Sequence, residues 1–342
     1  MKQFWWPGKV NGYENLELRE VPVPKPGTGE VLVKIRAVSL NFRDLLIASG
    51  RQYVGDALQG LTPGGDFAGE VVSTGGDSAW KAGDKVVATF FLGDIGTGLT
   101  DEVRLTALGA GNQGTLTEYR VFPASALLRI PVHMSFEEAA TLSCAGTTAY
   151  TSLLCGPAPL KAGQTVVVQG TGGVSLFAAQ IAIAAGAHVI ATSSSDEKLK
   201  FVKSLGVHDV INYKTTPAWE SRVLELTAGK GADLIVDVIG GESVSKSLSA
   251  IRLGGQVIII GILGNTSSPP DLLRKIMMKN ALVRGVTVGD VVMFRELMHL
   301  LELHKIKPNV GKVFEFEKTK EAFQCLEKQD FIGKVVIQVA KD

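Results

Sequence analysis

The sequence has almost no net charge. Thirty-five Lys and Arg residues are balanced by 34 Asp and Glu residues, so the formal net charge is +1. No run of basic residues is long enough to follow a phosphate backbone, and we therefore expect no nucleic-acid partner. A small molecule is the expected partner instead.

Cysteine is also scarce, and long apolar runs are few. Cys144, Cys155 and Cys325 are too few and too scattered for a disulfide framework, which fits a reducing compartment. The first eight residues lack the apolar core of a signal peptide. The longest weakly polar stretch, residues 174–192, is divided by Gly186 and His188 into a helix and a strand. We expect a cytoplasmic protein that does not bind membranes.

The sequence does contain a glycine-rich turn between a strand pattern and a helix pattern. Residues 165–169, Thr-Val-Val-Val-Gln, run into Gly170, Gly172 and Gly173, and an apolar helical pattern follows. Glycines permit a tight turn, and the N–H groups that begin the helix then face a bound diphosphate. Ser175 stands where the G-x-G-x-x-G pattern has its third glycine, so the turn alone leaves an ordinary structural turn as the alternative.

Strand and helix patterns alternate after this turn. Near-continuous apolar strands separated by helices predict a parallel sheet covered on both faces. We therefore predict an α/β fold with a doubly wound parallel Rossmann sheet. The strand patterns are residues 188–192, 209–213, 232–239, 256–260 and 282–288, and the helix patterns are residues 176–185, 196–205, 219–227 and 243–251.

The flanks of this region have a different pattern. Before residue 127 the chain contains strand-like runs without helical crossovers, separated by Pro and Gly turns. Residues 292–339 add two helix patterns and two strand patterns. We predict two domains with a ligand in the cleft between them. The β-rich catalytic domain comprises residues 1–127 and 290–342, and the dinucleotide-binding domain comprises residues 128–289.

Several motifs, taken in order, resemble the medium-chain dehydrogenase/reductase superfamily. The likeness covers nearly the whole chain and is greatest to the zinc-free quinone oxidoreductase and enoyl reductase branches. It implies a β-rich GroES-like catalytic domain beside the Rossmann domain. The motifs are residues 39–44 (Ser-Leu-Asn-Phe-Arg-Asp), 63–69 (Pro-Gly-Gly-Asp-Phe-Ala-Gly), 82–86 (Ala-Gly-Asp-Lys-Val), 143–150 (Ser-Cys-Ala-Gly-Thr-Thr-Ala-Tyr) and 170–174 (Gly-Thr-Gly-Gly-Val).

The resemblance also bears on zinc. Zinc enzymes of the superfamily hold the catalytic metal with a Cys, a His and a second Cys or Asp, and these positions are Asn41, Gly65 and Cys144 here. One ligand cannot hold a catalytic zinc ion, which takes three protein groups. Residues 90–117, where zinc enzymes carry four closely spaced cysteines, contain none. We predict no zinc.

Three residues are candidates for the chemistry. Asn41 can donate a hydrogen bond to a carbonyl oxygen and so stabilise the enolate charge that follows hydride transfer to an activated double bond; the alternative is that Asn41 only secures a turn. Asp44 could transfer a proton, although an ion pair with Arg43 or a helix cap is the preferred interpretation. Tyr53 could line the substrate pocket. Cys144 is interpreted as a small buried residue rather than a nucleophile.

The end of the second strand bears on the choice of cofactor. An acidic side chain there suits NAD, whereas a 2′-phosphate needs that charge absent and a cation nearby. Ser193 and Ser194 occupy these positions, Lys198 follows, and the resemblance adds Tyr213. The alternative is that a serine caps the next helix, with Asp196 in the first turn of that helix. Asp196 also leaves NADH open, because a small backbone shift could bring its carboxylate to the ribose. We predict NADPH.

Residues 90–117, rich in glycine, are interpreted as a mobile lid over the substrate.

The resemblance implies further cofactor contacts. Thr148 would approach the nicotinamide, and the final segment would reach back to the cofactor. The predicted contacts are Gly170, Gly172, Gly173 and Val174 in the glycine turn, Ile239, Gly240, Gly261, Ile262 and Leu263 after the fourth and fifth strands, and Gly333 and Lys334 near the end.

Together these motifs predict an NADPH-dependent oxidoreductase that reduces an α,β-unsaturated carbonyl compound or a quinone by hydride transfer, without zinc. One alternative is an alcohol dehydrogenase with a non-zinc proton relay, and another is a catalytically quiet protein that senses NADPH. Residues 282–288 could pair with their copy at an open sheet edge, which predicts a homodimer.

Overall fold

The computed structural model describes residues 1–50, 59–93, 96, 98–261, 263 and 269–340. It divides into two units, one formed by Met1–Thr147 with Gly289–Asp342 and the other by Thr148–Val288. Residues 128–147 thus fall in the first unit, whereas the sequence assigned them to the dinucleotide-binding domain. The predicted domain limits stay a prediction, because a grouping by contacts does not by itself fix a domain boundary. No helix among the described residues is long and apolar enough to cross a membrane.

The strands and helices are numbered here in chain order. The strands are β1 (Lys2–Trp5), β2 (Glu17–Glu20), β3 (Glu30–Leu40), β4 (Asp66–Thr74), β5 (Lys85–Ala88), β6 (Tyr119–Pro123), β7 (Leu127–Arg129), β8 (Thr165–Gln169), β9 (His188–Ser193), β10 (Asp209–Asn212), β11 (Ala232–Asp237), β12 (Ile251–Ile259), β13 (Leu282–Gly285), β14 (Val310–Glu315) and β15 (Lys334–Gln338). The α-helices are α1 (Phe42–Ala48), α2 (Asp101–Arg104), α3 (Phe136–Ala139), α4 (Thr147–Leu154), α5 (Gly173–Ala184), α6 (Asp196–Ser204), α7 (Trp219–Leu226), α8 (Glu242–Ala250), α9 (Leu272–Lys279), α10 (Val291–Leu303) and α11 (Thr319–Lys328). A π-helical turn, Leu142–Gly146, precedes α4.

The first unit is built on a sheet with the strand order β14-β15-β3-β4-β5-β7, in which β6 also pairs with β3. Its central strand, β3, is rich in β-branched residues, and Val31, Val33 and Ile35 are fully buried. β4, β6 and β15 all run antiparallel to β3. The end of β3 therefore lies beside the start of β15 and the start of β4, and Ser39 stands opposite Asp66.

The predicted lid segment is anchored in its second half. Leu108 and Leu116 are fully buried. The carbonyl oxygen of Leu108 accepts a hydrogen bond from Arg43, and those of Gln113 and Gly114 accept from Arg120. A lid could therefore involve only the part before residue 107, where residues 94, 95 and 97 lie outside the described residues. The lid stays a prediction for that part.

The second unit is a six-stranded sheet in the order β10-β9-β8-β11-β12-β13, with every neighbouring pair parallel. This confirms the predicted doubly wound parallel sheet. The strand order reverses between β8 and β11, which is where ligands bind in folds of this kind. The helix α5, which follows the glycine turn, begins at Gly173, before the predicted start at residue 176.

Candidate active site

The amide of Asn41 joins two buried charged side chains in the first unit. Asn41 follows β3, and its Nδ2 donates to Asp66 Oδ2 at 2.9 Å. Its Oδ1 accepts from Lys334 Nζ at 2.5 Å. Asn41 is 8% exposed, Lys334 4% and Asp66 0%. The amide therefore bridges an ammonium and a carboxylate that share little water.

Asp44 and Arg43 also belong to this cluster, on the first turn of α1. Asp44 Oδ2 accepts the backbone N–H of Asn41 at 2.7 Å, which satisfies one donor at the helix start. Arg43 Nη1 lies 3.6 Å from Asp44 Oδ1, and 4.7 Å separates the guanidinium from the centre of the Phe90 ring. Burial raises the pKa of the Asp44 carboxyl above its ordinary value, and Arg43 opposes that rise. These contacts favour the ion pair and helix cap over proton transfer.

Gly65 leaves the space that Arg43 occupies. A Cβ added at Gly65 would lie 2.6 Å from Arg43 Nη1, 3.1 Å from a Phe90 ring carbon and 3.3 Å from the Leu108 carbonyl oxygen. A larger side chain at this position would displace the guanidinium. The absence of a side chain at position 65 is therefore part of how the cluster packs.

Asp66 is the most deeply buried group of the cluster. Ser143 Oγ donates to Asp66 Oδ1 at 2.5 Å. Burial raises the pKa of the Asp66 carboxyl, while Lys334, Asn41 and Ser143 act in the opposite direction. The pKa of the Cys144 thiol is raised to about 12, first because the surroundings desolvate its thiolate and next because Asp66 is close. Cys144 is half-buried, not fully buried as its sequence was interpreted, and the raised pKa makes it a poor nucleophile.

Lys334 is held within the first unit. Its Nζ donates to the Leu40 carbonyl oxygen at 2.7 Å as well as to Asn41. The side chain that was expected to reach the cofactor is thus engaged with the end of β3. The backbone N–H of Lys334 also donates to the Asn309 carbonyl oxygen, at 2.9 Å. A cofactor contact from Gly333 and Lys334 stays a prediction.

In the second unit, the glycine turn has the geometry of a diphosphate cradle. Gly170 follows β8 with φ +77°, a conformation that favours glycine, and Gly172 precedes α5. An added Cβ at either glycine would meet no atom within 4 Å, so the turn opens onto free space. Ser175, in place of the third glycine, is buried and donates from Oγ to the Gln169 carbonyl oxygen at 2.6 Å. The turn, with Gly173 and Val174 at the start of α5, fits a dinucleotide.

The predicted 2′-phosphate residues gather at the ends of β9 and β10. Ser193 is buried at the end of β9, and its carbonyl oxygen accepts the backbone N–H of Tyr213 at 3.0 Å. Lys198 lies half-buried on the first turn of α6, where its backbone N–H donates to the Ser195 hydroxyl at 3.4 Å. Ser195 is thus the helix cap, which leaves Ser194, just before it, without that role.

Asp196, the residue that left NADH open, is tied to the neighbouring strand. Its Oδ1 accepts from Asn212 Nδ2 at 2.7 Å. Asn212 Oδ1 in turn accepts the backbone N–H of Lys214 at 3.0 Å. The carboxylate is exposed but directed toward the end of β10.

The remaining predicted contacts are described in part. Thr148 lies in the first turn of α4 and is buried, and its carbonyl oxygen accepts from Ser152 Oγ at 2.6 Å. An added Cβ at Gly261 would lie 2.2 Å from the Val238 carbonyl oxygen, so the loops after β11 and β12 approach closely. Leu263 is exposed. Tyr53 and Ile262 lie outside the described residues, and their roles stay predictions.

A buried polar group at the ends of β8 and β11 was missed by the sequence analysis. Gln169 and Asp237 are the last residues of these strands, and their side chains are hydrogen-bonded. Asp237 Oδ1 also accepts the backbone N–H groups of Ile239 and Gly240, two of the predicted cofactor residues. An Asp that ends an apolar strand, two and three residues before these N–H groups, is the sequence signal that could have indicated it.

Comparison with known proteins identifies the family. The chain matches the family described as zinc-binding dehydrogenase over residues 173–303 and the alcohol dehydrogenase GroES-like domain over residues 27–132. A zinc-type alcohol dehydrogenase-like protein from Schizosaccharomyces pombe is 41% identical over 337 residues, which cover 97% of both chains. The chain belongs to the medium-chain dehydrogenase/reductase superfamily. The GroES-like domain expected from the sequence is confirmed.

Other members of the superfamily are similar along their whole length. Quinone oxidoreductase from Homo sapiens is 30% identical over 339 residues, covering 96% of this chain and 95% of the relative. A solved NAD-dependent alcohol dehydrogenase has a TM-score of 0.90 and 31% identity, with 99% of this chain and 100% of the other covered. A mycobacterial protein solved in complex with NADPH has a TM-score of 0.80 and 27% identity, with the same coverage. As a medium-chain dehydrogenase/reductase, the chain is an NAD(P)-dependent oxidoreductase.

The family descriptions name zinc, but the residues at the expected ligand positions of this chain are poor zinc ligands. The positions that the resemblance assigns to catalytic zinc ligands carry an amide that bridges two charges, a glycine whose space Arg43 fills, and a thiol with a raised pKa. Zinc takes thiolate, imidazole or carboxylate ligands. Across the described ranges of the chain, no group of three or more His, Cys, Asp or Glu residues could hold a metal ion. The residues present do not fit a catalytic zinc.

Proposed function

We propose that this chain is a reductase that uses NADPH to reduce an α,β-unsaturated carbonyl compound or a quinone without zinc. The observation that carries the proposal is the Asn41 amide between Lys334 and Asp66, at the position where zinc members of the superfamily have a metal ligand. A nicotinamide nucleotide, when bound, supplies the hydride. The protein must then stabilise negative charge on the substrate oxygen.

Asn41 is suited to that task. One N–H of its amide donates to Asp66, and the amide has a second N–H, which we assign to the substrate oxygen. The ammonium of Lys334 on Oδ1 draws electron density from the amide and strengthens its N–H groups as donors. A donor fixed in advance in a dry environment stabilises an enolate or a quinol anion well. Alcohol oxidation instead needs a base that removes the hydroxyl proton or a Lewis acid that promotes its loss.

NADPH is favoured by the surroundings of the second strand. Ser193 and Ser194 bring no negative charge, Lys198 lies on the first turn of α6, and the hydrogen bond from Asn212 engages Asp196 Oδ1. Asn212→Ala would release this carboxylate toward a 2′-phosphate. We expect the ratio of kcat/KM with NADPH to that with NADH to fall in this variant, and to recover when Asp196→Asn is added. Equal or better kcat/KM with NADH in the unaltered protein would overturn the choice of NADPH.

A substrate panel separates the candidate activities. Enones and quinones should be reduced, and primary alcohols should not be oxidised at a comparable kcat/KM. The alternative with a specific observation behind it is alcohol dehydrogenase, because the relative at 41% identity is described as zinc-type alcohol dehydrogenase-like. Oxidation of alcohols that scales with bound zinc would establish that alternative, whereas tight NADPH binding without turnover of any compound would indicate a sensor.

A homodimer is part of the proposal. β13 ends the parallel sheet of the second unit, within the described residues, and an edge strand can pair with its copy. Light scattering coupled to size-exclusion chromatography should give twice the mass of the chain, and the mass of one chain would refute this.

A further inference from the structure

The buried polar residues at the ends of β8 and β11 form one connected network. Asp237 is fully buried and Gln169 is 4% exposed. Gln169 Nε2 lies 3.3 Å from Asp237 Oδ2, and two hydroxyls from α8 complete the group: Ser247 Oγ at 2.7 Å and Ser243 Oγ at 3.1 Å from the same oxygen. The network sits where the strand order of the sheet reverses.

Neutral groups supply the hydrogen bonds described for Asp237. Oδ1 accepts the backbone N–H groups of Ile239 at 3.0 Å and Gly240 at 2.9 Å, while Oδ2 faces the amide and the two hydroxyls. None of the ion pairs found within the described residues includes Asp237. A buried carboxylate is costly unless its oxygens are well satisfied, and an apolar residue would fill the volume at lower cost. What the carboxylate adds is a fixed position for two successive N–H groups.

The same network reaches the glycine turn. The carbonyl oxygen of Gln169 accepts from Ser175 Oγ at 2.6 Å, so Gln169 is bound to the first turn of α5 by its backbone and to Asp237 by its side chain. Gly240 has φ +72° and Gly241 has φ +54°, and this unusual pair of conformations follows directly on the N–H groups that Asp237 holds. The two turns predicted to contact the cofactor are therefore joined by hydrogen bonds through Gln169 and Asp237.

We propose that Asp237 and Gln169 are positioning residues that fix the Ile239–Gly240 turn relative to the glycine turn, so that both turns meet one bound nicotinamide nucleotide. This inference rests on the cofactor part of the proposed function. Neither residue needs to touch the cofactor. Loosening the network lets the turns move independently, and the nucleotide then binds less tightly although the sheet stays folded.

The direction of the Gln169–Asp237 hydrogen bond can be reversed by substitution, and this reversal tests the proposal. Asp237→Asn keeps an acceptor for Ile239 and Gly240 but removes the negative charge, and in the orientation that the Gln169 amide has in the structure it places an NH2 group against an NH2 group. Gln169→Glu instead places a carboxylate against a carboxylate. The double variant reverses donor and acceptor, because the new amide at position 237 donates to the new carboxylate at position 169. The shape and net charge of the network stay the same, and the serine hydroxyls can rotate to follow.

The measurements use the full chain and whichever of NADPH and NADH the unaltered protein binds more tightly. Nucleotide Kd is followed by fluorescence, and KM and kcat are measured where turnover exists. We expect Asp237→Asn to raise the Kd on the order of tenfold or more, as loss of one charged hydrogen bond implies, and the double variant to recover most of this loss. The KM of the second substrate should change little.

Asp233→Asn is the matched control. Asp233 lies at the opposite end of β11, where it accepts the Thr165 backbone N–H and pairs with Arg252 at 2.6 Å. This variant should lower thermal stability and leave the nucleotide Kd unchanged. Ser247→Ala, which removes a single hydroxyl donor, decides the question if Asp237→Asn does not fold, and it should raise the Kd by a smaller factor.

Two results would overturn the inference. One is a folded Asp237→Asn, or Ser247→Ala in its place, with the nucleotide Kd of the unaltered protein. The other is a folded double variant that binds no better than Asp237→Asn. A preference for NADH, or no reduction of enones and quinones, would instead count against the proposed function alone, because the Kd comparison is made with the nucleotide that binds.

Discussion

The bridge made by Asn41 predicts a large loss of stability when its amide is removed. Asn41→Ala deletes one hydrogen bond to Asp66 at 2.9 Å and one from Lys334 at 2.5 Å, and both charged groups remain buried. A hydrogen bond to a charged group contributes about 1.5–3 kcal/mol, so the free energy of unfolding should fall by about 3–6 kcal/mol. Ser143→Ala deletes only the hydroxyl that donates to Asp66, and about half that loss is expected.

The assay can be confined to the first unit. Trp5, Trp6 and Trp80 lie in that unit and Trp219 lies in the other, so a Trp219→Phe background makes tryptophan fluorescence report on the first unit during urea unfolding. Asn15→Ala serves as the control, because the Asn15 amide is exposed and, within the described residues, donates to a backbone oxygen at 3.0 Å. It should cost less than about 1 kcal/mol.

An Asn41→Ala variant within about 1 kcal/mol of the background, the size of one ordinary hydrogen bond, would refute the stabilising role of the Asn41 bridge. An equal loss of stability in Ser143→Ala and Asn41→Ala would refute it as well. Asn41→Asp gives an independent check, since it keeps the contact to Lys334 but sets a second carboxylate against Asp66. This nearly isosteric change should therefore also destabilise the protein.

Three further predictions concern single residues. Gly65→Ala should cost about 1–3 kcal/mol in the same urea assay, because the new Cβ displaces Arg43, and an unchanged midpoint would contradict this packing. With a pKa of about 12, the Cys144 thiol is ionised in roughly one molecule in 10⁴ at pH 8. Cys144 should therefore be alkylated far more slowly in native protein than in urea-unfolded protein, which peptide mass spectrometry can measure. Burial and then His188 lower the pKa of His208, so the folded state binds fewer protons than the unfolded chain. The free energy of unfolding should therefore fall as the pH drops through about 6.5. His208→Asn should flatten this pH dependence, and an unchanged pH profile in that variant would refute the prediction.

The doubly wound sheet could be predicted because its signal is local. Each strand of the second unit is a short apolar run between helix patterns, and the turn at Gly170 marks where the first strand ends. The start of α5 was placed too late because glycine disfavours helices, while here Gly173 is the first residue of the helix. The helices α2, α3, α4 and α9 were not predicted, since each has eight residues or fewer and so carries little more than two turns of pattern.

The cofactor residues at positions 193, 194 and 198 could be proposed because one segment carries them, and their roles stay predictions. Ser193 ends β9, Ser194 and Lys198 follow it, and the carbonyl oxygen of Ser193 accepts the backbone N–H of Tyr213. The hydrogen bond between Gln169 and Asp237 joins residues 68 positions apart, and the one between Asn41 and Lys334 joins residues 293 positions apart. Such contacts depend on which strands become neighbours, and no local pattern encodes that.

The pairing of β3 with β15 has a consequence for synthesis of the chain. β3 emerges from the ribosome long before the strand beside it, and the ammonium that Asn41 accepts from follows 293 residues later. The first unit therefore cannot complete its sheet before residue 338 has been synthesised, whereas Thr148–Val288 is continuous and has all its strands earlier. A chain cut short before residue 334 would keep the nucleotide-binding sheet whole and leave Asp66 buried beside an open strand edge, which makes truncated products candidates for aggregation and proteolysis.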